Sequence, residues 1–84
     1  MKYTLNRLKK ADWMLALATL EAIQENPTNI NYVELSEQYI KHLMLRSAIS
    51  YMEINKKLDD ERIKMLDDIF KEKSFKILKP IFED

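Results

Sequence analysis

Few side chains in this 84-residue chain could carry out catalysis. The single histidine, His42, has Gln38 and Arg46 one helical turn away, and neither residue activates a base or ligates a metal in the usual way. A general-base role would require a nucleophile or carboxylate from elsewhere in the fold. The chain lacks Cys and Gly, which excludes thiolate chemistry, cysteine zinc sites and glycine-rich phosphate loops. We therefore expect a protein that is not an enzyme and that uses no cofactor and no metal.

Two pairs of adjacent acids are the remaining candidates for chemistry, Asp59-Asp60 and Asp67-Asp68. They lack the alternating spacing and the turn glycine of a calcium loop. Adjacent residues on a helix also point about 100° apart, so the two members of a pair do not face the same ligand. These acids are better explained as solvated helix faces and as charges that complement a helix dipole.

Composition indicates an all-α fold. Hydrophobic residues make up 46% of the chain, and sheets and tight turns usually need the glycine that is missing here. We predict one domain, an antiparallel three-helix bundle with helices over about 4–25, 31–57 and 59–73 and, as an option, a short fourth helical turn over 75–79.

The longest nearly apolar run, 13–20, is shorter than the about 20 residues needed to cross a bilayer. We expect a soluble cytoplasmic protein, and the high Lys, Ile and Asn usage hints at a bacterial or phage gene.

The segment 31–57 is the longest helical signal and the element onto which the others must pack. Asn31 and Glu34 form a capping-box variant at its start. Its apolar residues occupy two strips around the predicted helix. The wider strip contains Ile40, Met44, Leu45, Ala48, Ile49, Tyr51 and Met52, and the second contains Tyr32, Tyr39, Leu43 and Ile54. Either the two flanking helices cover both strips, or one strip is left for a partner.

The flanking segments read as simpler helices. Trp13 falls in phase with Leu17 and Leu20, which favours a role as a core or helix-packing anchor over one as a ligand-stacking platform. Asp12 is a competing cap that could split the first segment, although one continuous helix is favoured. Near the C-terminus, Ile81 and Phe82 either pack back onto the bundle or belong to a partner-binding tail.

Protein–protein interaction is the favoured function. We expect the contacts at Tyr39, Leu43 and Ile54, with Arg46 as a polar rim, and a partner that is another protein or a second copy of the chain. Small helical inhibitors, anti-factors, immunity proteins and chaperones work in this way.

The alternative is nucleic-acid binding through the basic N-terminal segment. That segment carries Lys2, Arg7, Lys9 and Lys10. Fourteen basic residues balance fourteen acidic ones, so the chain has no net charge to attract phosphate. The third helix opens with three acids, which makes it a poor recognition helix.

The sequence ENPTN at 25–29, followed by ELSEQY at 34–39, resembles the Asn-Pro turn between the two helices of type III secretion needle subunits. The resemblance covers about a third of the chain. The second Pro usual in that turn is missing, and this chain continues far beyond the point where a needle subunit would end. It implies a helical hairpin and, as a further alternative, a self-assembling subunit of a secretion apparatus.

Overall fold

The computed structural model describes residues 3–71, which form three helices: α1 (Leu5–Glu25), α2 (Tyr32–Asn55) and α3 (Asp60–Lys71). The predicted all-α, three-helix bundle is confirmed. Helix α1 runs through Asp12 without interruption, as favoured from the sequence. The predicted turn at 75–79 and the apolar pair Ile81 and Phe82 lie outside the described residues.

Each helix begins next to a side chain that accepts a hydrogen bond from the backbone N–H three residues further along. Such a cap gives a partner to one of the N–H groups that the first turn leaves unpaired. The three bonds run from Arg7 N–H to Thr4 Oγ1 (3.2 Å), from Glu34 N–H to Asn31 Oδ1 (3.1 Å) and from Arg62 N–H to Asp59 Oδ1 (3.0 Å).

The end of α2 is set by a lysine in the left-handed conformation. Lys56 has φ 67° and its backbone N–H donates to the Met52 carbonyl (2.8 Å), so the helix stops at Asn55. The predicted helix to residue 57 was therefore two residues too long. A glycine is the usual residue at such a position, because a side chain beyond Cα is disfavoured there.

The core lies along α2, with α1 and α3 each packed against it. The molecule is elongated, 42 × 24 × 19 Å, because the 21-residue α1 and the 24-residue α2 form a long hairpin. The buried apolar residues are Tyr3, Leu8, Ala11, Leu15, Leu45, Ala48, Ile49, Met52, Leu58, Leu66 and Ile69. Helix α3 has only 12 residues, half the length of α2.

A residue ahead of α1 connects it to α3. The Tyr3 hydroxyl donates to Asp67 Oδ1 (2.5 Å), and its ring stacks on Phe70 with 6.1 Å between centroids. Tyr3 is only 3% exposed, so it anchors the residues just before α1 to the last turns of α3.

Candidate protein-binding faces

The outer strip of α2, made of Tyr32, Tyr39, Leu43 and Ile54, points away from the core. Residues two positions apart on a helix lie about 200° apart, so the burial of Leu45 turns Leu43 outward. Tyr39 is 62% exposed, Leu43 49% and Ile54 78%. Tyr32 is also exposed. The predicted contact residues thus share one solvent-facing side of α2.

The wider predicted strip of α2 is not wholly buried. Leu45, Ala48, Ile49 and Met52 are in the core as expected, whereas Ile40 is 51% exposed. Ile40 lines an open groove between α2 and α3, to which both helices contribute charged side chains. Ile40 is therefore a member of the wider strip that α1 and α3 leave half exposed.

Arg46 lies at the edge of the outer strip of α2, three residues beyond Leu43. Its guanidinium Nη1 is 3.9 Å from Asp12 Oδ2, across the seam between α1 and α2. The side chain is 53% exposed, so Arg46 can still make contacts outside the chain. It forms a polar rim whose position is partly set by a carboxylate on α1.

The structure places a carboxylate next to His42 that the sequence did not reveal. His42 Nδ1 lies 2.5 Å from Asp12 Oδ1, and an ionised carboxylate can only accept, so the ring nitrogen donates. The Tyr39 ring is 6.5 Å from the imidazole, at the border of the outer strip of α2. Aligning α1 and α2 in an antiparallel register would have predicted this contact between Asp12 and His42. The Asp12–His42 contact joins α1 to α2. Across residues 3–71, no group of three acids or histidines is placed to hold a metal ion.

A second exposed face lies on α1. The outer stripe of α1 consists of Trp13 (65% exposed), Leu17 (40%) and Leu20 (50%). The predicted role of Trp13 as a core or helix-packing anchor is therefore wrong. Trp13 is indeed in phase with Leu17 and Leu20, but the phase that packs inward is that of Leu8, Ala11 and Leu15.

A groove of mixed polar and apolar lining lies in the α1–α2 hairpin near its loop, and no described residue of α3 lines it. It encloses about 350 Å³ between α1 and the N-terminal part of α2, and its α1 wall includes the small side chains Ala18 and Ala22. Gln38 lies on its α2 wall, and its buried Oε1 has no hydrogen-bond partner within residues 3–71. Sequence reasoning missed this groove because it depends on how α1 and α2 pack next to their loop.

Comparisons with known proteins add no family to this description. No protein-family model, curated protein or solved structure matches the chain. Along the described part of the chain, none of the three helices combines the length and the apolar character that a bilayer crossing requires. The exposed faces of the helices are therefore the features that bear on function.

Proposed function

We propose that this chain is a small regulatory protein without enzymatic activity that binds another protein stoichiometrically through the outer strip of α2. The observation that carries the proposal is the exposure of Tyr39, Leu43 and Ile54 together on the side of α2 that faces away from the core. Aromatic and aliphatic side chains that share one helix face are the usual anchors when a helix binds in an apolar groove.

The rim of the strip supports the same function. Arginine is enriched in protein interfaces, and Arg46 keeps half of its side chain in solvent beside Leu43. In the bound state Leu43 and Tyr39 would lose water while Arg46 would stay at the wet edge. The inhibitor, anti-factor, immunity and chaperone classes all use such a surface, and the choice among them depends on the partner.

Leu43→Asp is the decisive change, because it places a carboxylate where a partner would have to bury it. An unpaired buried charge at the centre of an interface costs at least about 2.7 kcal/mol, which corresponds to on the order of a 100-fold loss of affinity. The helix should be unaffected, because Leu43 is half exposed in the free protein.

Leu17→Asp is the matched control, since it is the same substitution at a similarly exposed leucine on another helix. Immobilised wild-type protein and both variants are used to capture binding proteins from the encoding organism, and helicity is checked by circular dichroism. We expect one protein to be retained by the wild type and by Leu17→Asp and lost with Leu43→Asp. Retention by Leu43→Asp, or no retained protein at all, would contradict the proposal.

Salt dependence separates this proposal from nucleic-acid binding. A complex centred on apolar side chains should change little between 50 and 200 mM salt, whereas contacts from Lys9 and Lys10 to phosphate would weaken steeply over that range. Light scattering distinguishes the third alternative, because a secretion-type subunit would form large assemblies and a stoichiometric binder would not.

A further inference from the structure

The outer stripe of α1 has charges arranged in a definite order along the helix. Lys9 and Lys10 precede it, the apolar side chains follow, and Glu21 and Glu25 come after it. All four charged residues are exposed. From Lys10 to Glu21, over about 16 Å of helix, one face of α1 therefore runs from positive through apolar to negative.

Lys10 and Glu21 share one side of the helix with the apolar residues, whereas Lys9 and Glu25 lie about 80° from Leu17 on opposite sides. Lys10 and Glu21 are eleven residues apart, which is three turns, so they differ by only about 20° around the axis. Leu17 lies between them in the same direction, and Trp13 and Leu20 flank it on one side. These five residues thus form a band about 100° wide along one side of α1.

We propose that this face binds a second copy of the chain, with the two α1 helices antiparallel. A face with a positive and a negative end is complementary to itself when one copy is reversed. With a two-fold axis between Ala16 and Leu17, Trp13 packs on Leu20 of the second copy. Lys10 is then offset by about 3 Å along the helix from Glu21 of the second copy, which its long side chain can span. A parallel pairing would place lysine against lysine and glutamate against glutamate, which charge repulsion disfavours.

The charge order favours a second copy over a foreign partner. The symmetry of a two-fold interface makes each contact occur twice, so the pair of Lys10 with Glu21 contributes two ion pairs per dimer. The chain has no net charge, so no overall repulsion opposes association. This surface is on α1, whereas the function proposed above uses the outer strip of α2, so each can fail without the other.

The predicted dimer is weak. One helix face of about three turns is smaller than the about 800 Å² per partner that stable complexes bury. We expect a dissociation constant between about 10 µM and 1 mM, which places the dimer in rapid exchange with the monomer.

Charge reversal tests both the surface and its direction. Sedimentation velocity at rising concentration should show Lys10→Glu and Glu21→Lys each weakening the dimer about tenfold in low salt. An equimolar mixture of the two variants should associate as well as the wild type, because the introduced carboxylate of one variant then lies opposite the introduced ammonium group of the other. The double variant should also recover wild-type association. A parallel dimer predicts no loss in the single variants, so unchanged association in them would overturn the proposal.

Two leucine variants test the apolar part of the surface. Leu17→Asp should abolish the dimer up to about 1 mM, whereas Leu43→Asp should leave it intact. Trp13 is the only tryptophan in the chain, so its fluorescence should shift to the blue with concentration in the wild type and not in Leu17→Asp. A wild type that stays monomeric at about 1 mM, or a dimer lost with Leu43→Asp and kept with Leu17→Asp, would refute the assignment.

Discussion

Replacing Tyr3 by Phe tests whether the contact between the Tyr3 hydroxyl and α3 stabilises the fold. The substitution keeps the ring that stacks on Phe70 and removes only the hydroxyl that donates to Asp67. A hydrogen bond to a charged group contributes about 1.5–3 kcal/mol. Asp67 is partly exposed and can regain water, so we expect a loss of about 1.5 kcal/mol. For a domain of this size the loss corresponds to a decrease in Tm of roughly 6–12 °C.

The same contact predicts how stability changes at alkaline pH. Burial, together with the hydrogen bond to Asp67 and the negative charge of that carboxylate, raises the pKa of Tyr3 far above its ordinary value near 10. Above about pH 10 the unfolded chain loses the Tyr3 proton while the folded protein retains it. The unfolded state then binds fewer protons, so the free energy of unfolding falls as the pH rises. In Tyr3→Phe, the free energy of unfolding should not show this part of the decrease above about pH 10.

Urea unfolding of the wild type and the variant at several pH values between 7 and 11 measures both effects. The wild type should be more stable at pH 7, and the difference should narrow above pH 10. Tyr32→Phe is the control, because Tyr32 is 70% exposed and its hydroxyl should matter little. Equal stability of Tyr3→Phe and the wild type at pH 7, or parallel stability curves up to pH 11, would show that the Tyr3 hydroxyl does not stabilise the fold.

Two further substitutions test the packing and the end of α2. Leu45→Ala should cost about 3 kcal/mol because Leu45 is fully buried, whereas Leu43→Ala should cost about 1 kcal/mol or less, and similar urea midpoints for the two would contradict the assignment of inner and outer faces. Lys56→Gly should raise the free energy of unfolding by about 1 kcal/mol, because glycine adopts the observed positive φ without the steric penalty of a side chain. Its urea midpoint should rise with an unchanged m-value, and a lower midpoint would refute this account of the helix end.

Local signals in the sequence were sufficient for the helices and their starts. Thr4, Asn31 and the acids at 59–61 all predicted helix starts within one residue, because a cap acts on N–H groups only a few residues away. The Asn-Pro turn likewise predicted the α1–α2 loop, since proline restricts the residue before it. Three helices in a chain this short leave few arrangements other than a bundle, so the fold class followed.

The members of the outer strip of α2 could also be predicted from the helical spacing of its apolar residues. Leu43 and Leu45 are both leucines, yet they lie about 200° apart on the helix and so belong to different strips. Helical periodicity predicts which residues share a strip, but not which residues of other helices contact the strip or how exposed it is. The link from Arg46 to Asp12, and the exposure of Ile40, depend on how α1 and α3 lie against α2.

Tertiary structure decided which face of α1 is buried and which polar groups meet across the helices. Two apolar phases compete on α1, one with Leu8, Ala11 and Leu15 and one with Trp13 and its neighbours, and periodicity alone does not rank them. The sequence by itself determined helix content, caps and turns, because these depend on interactions within a few residues. The inward face of α1 and the contact of Asp12 with His42 depend on side chains about thirty positions apart, and only the packed register of the helices brings such residues together.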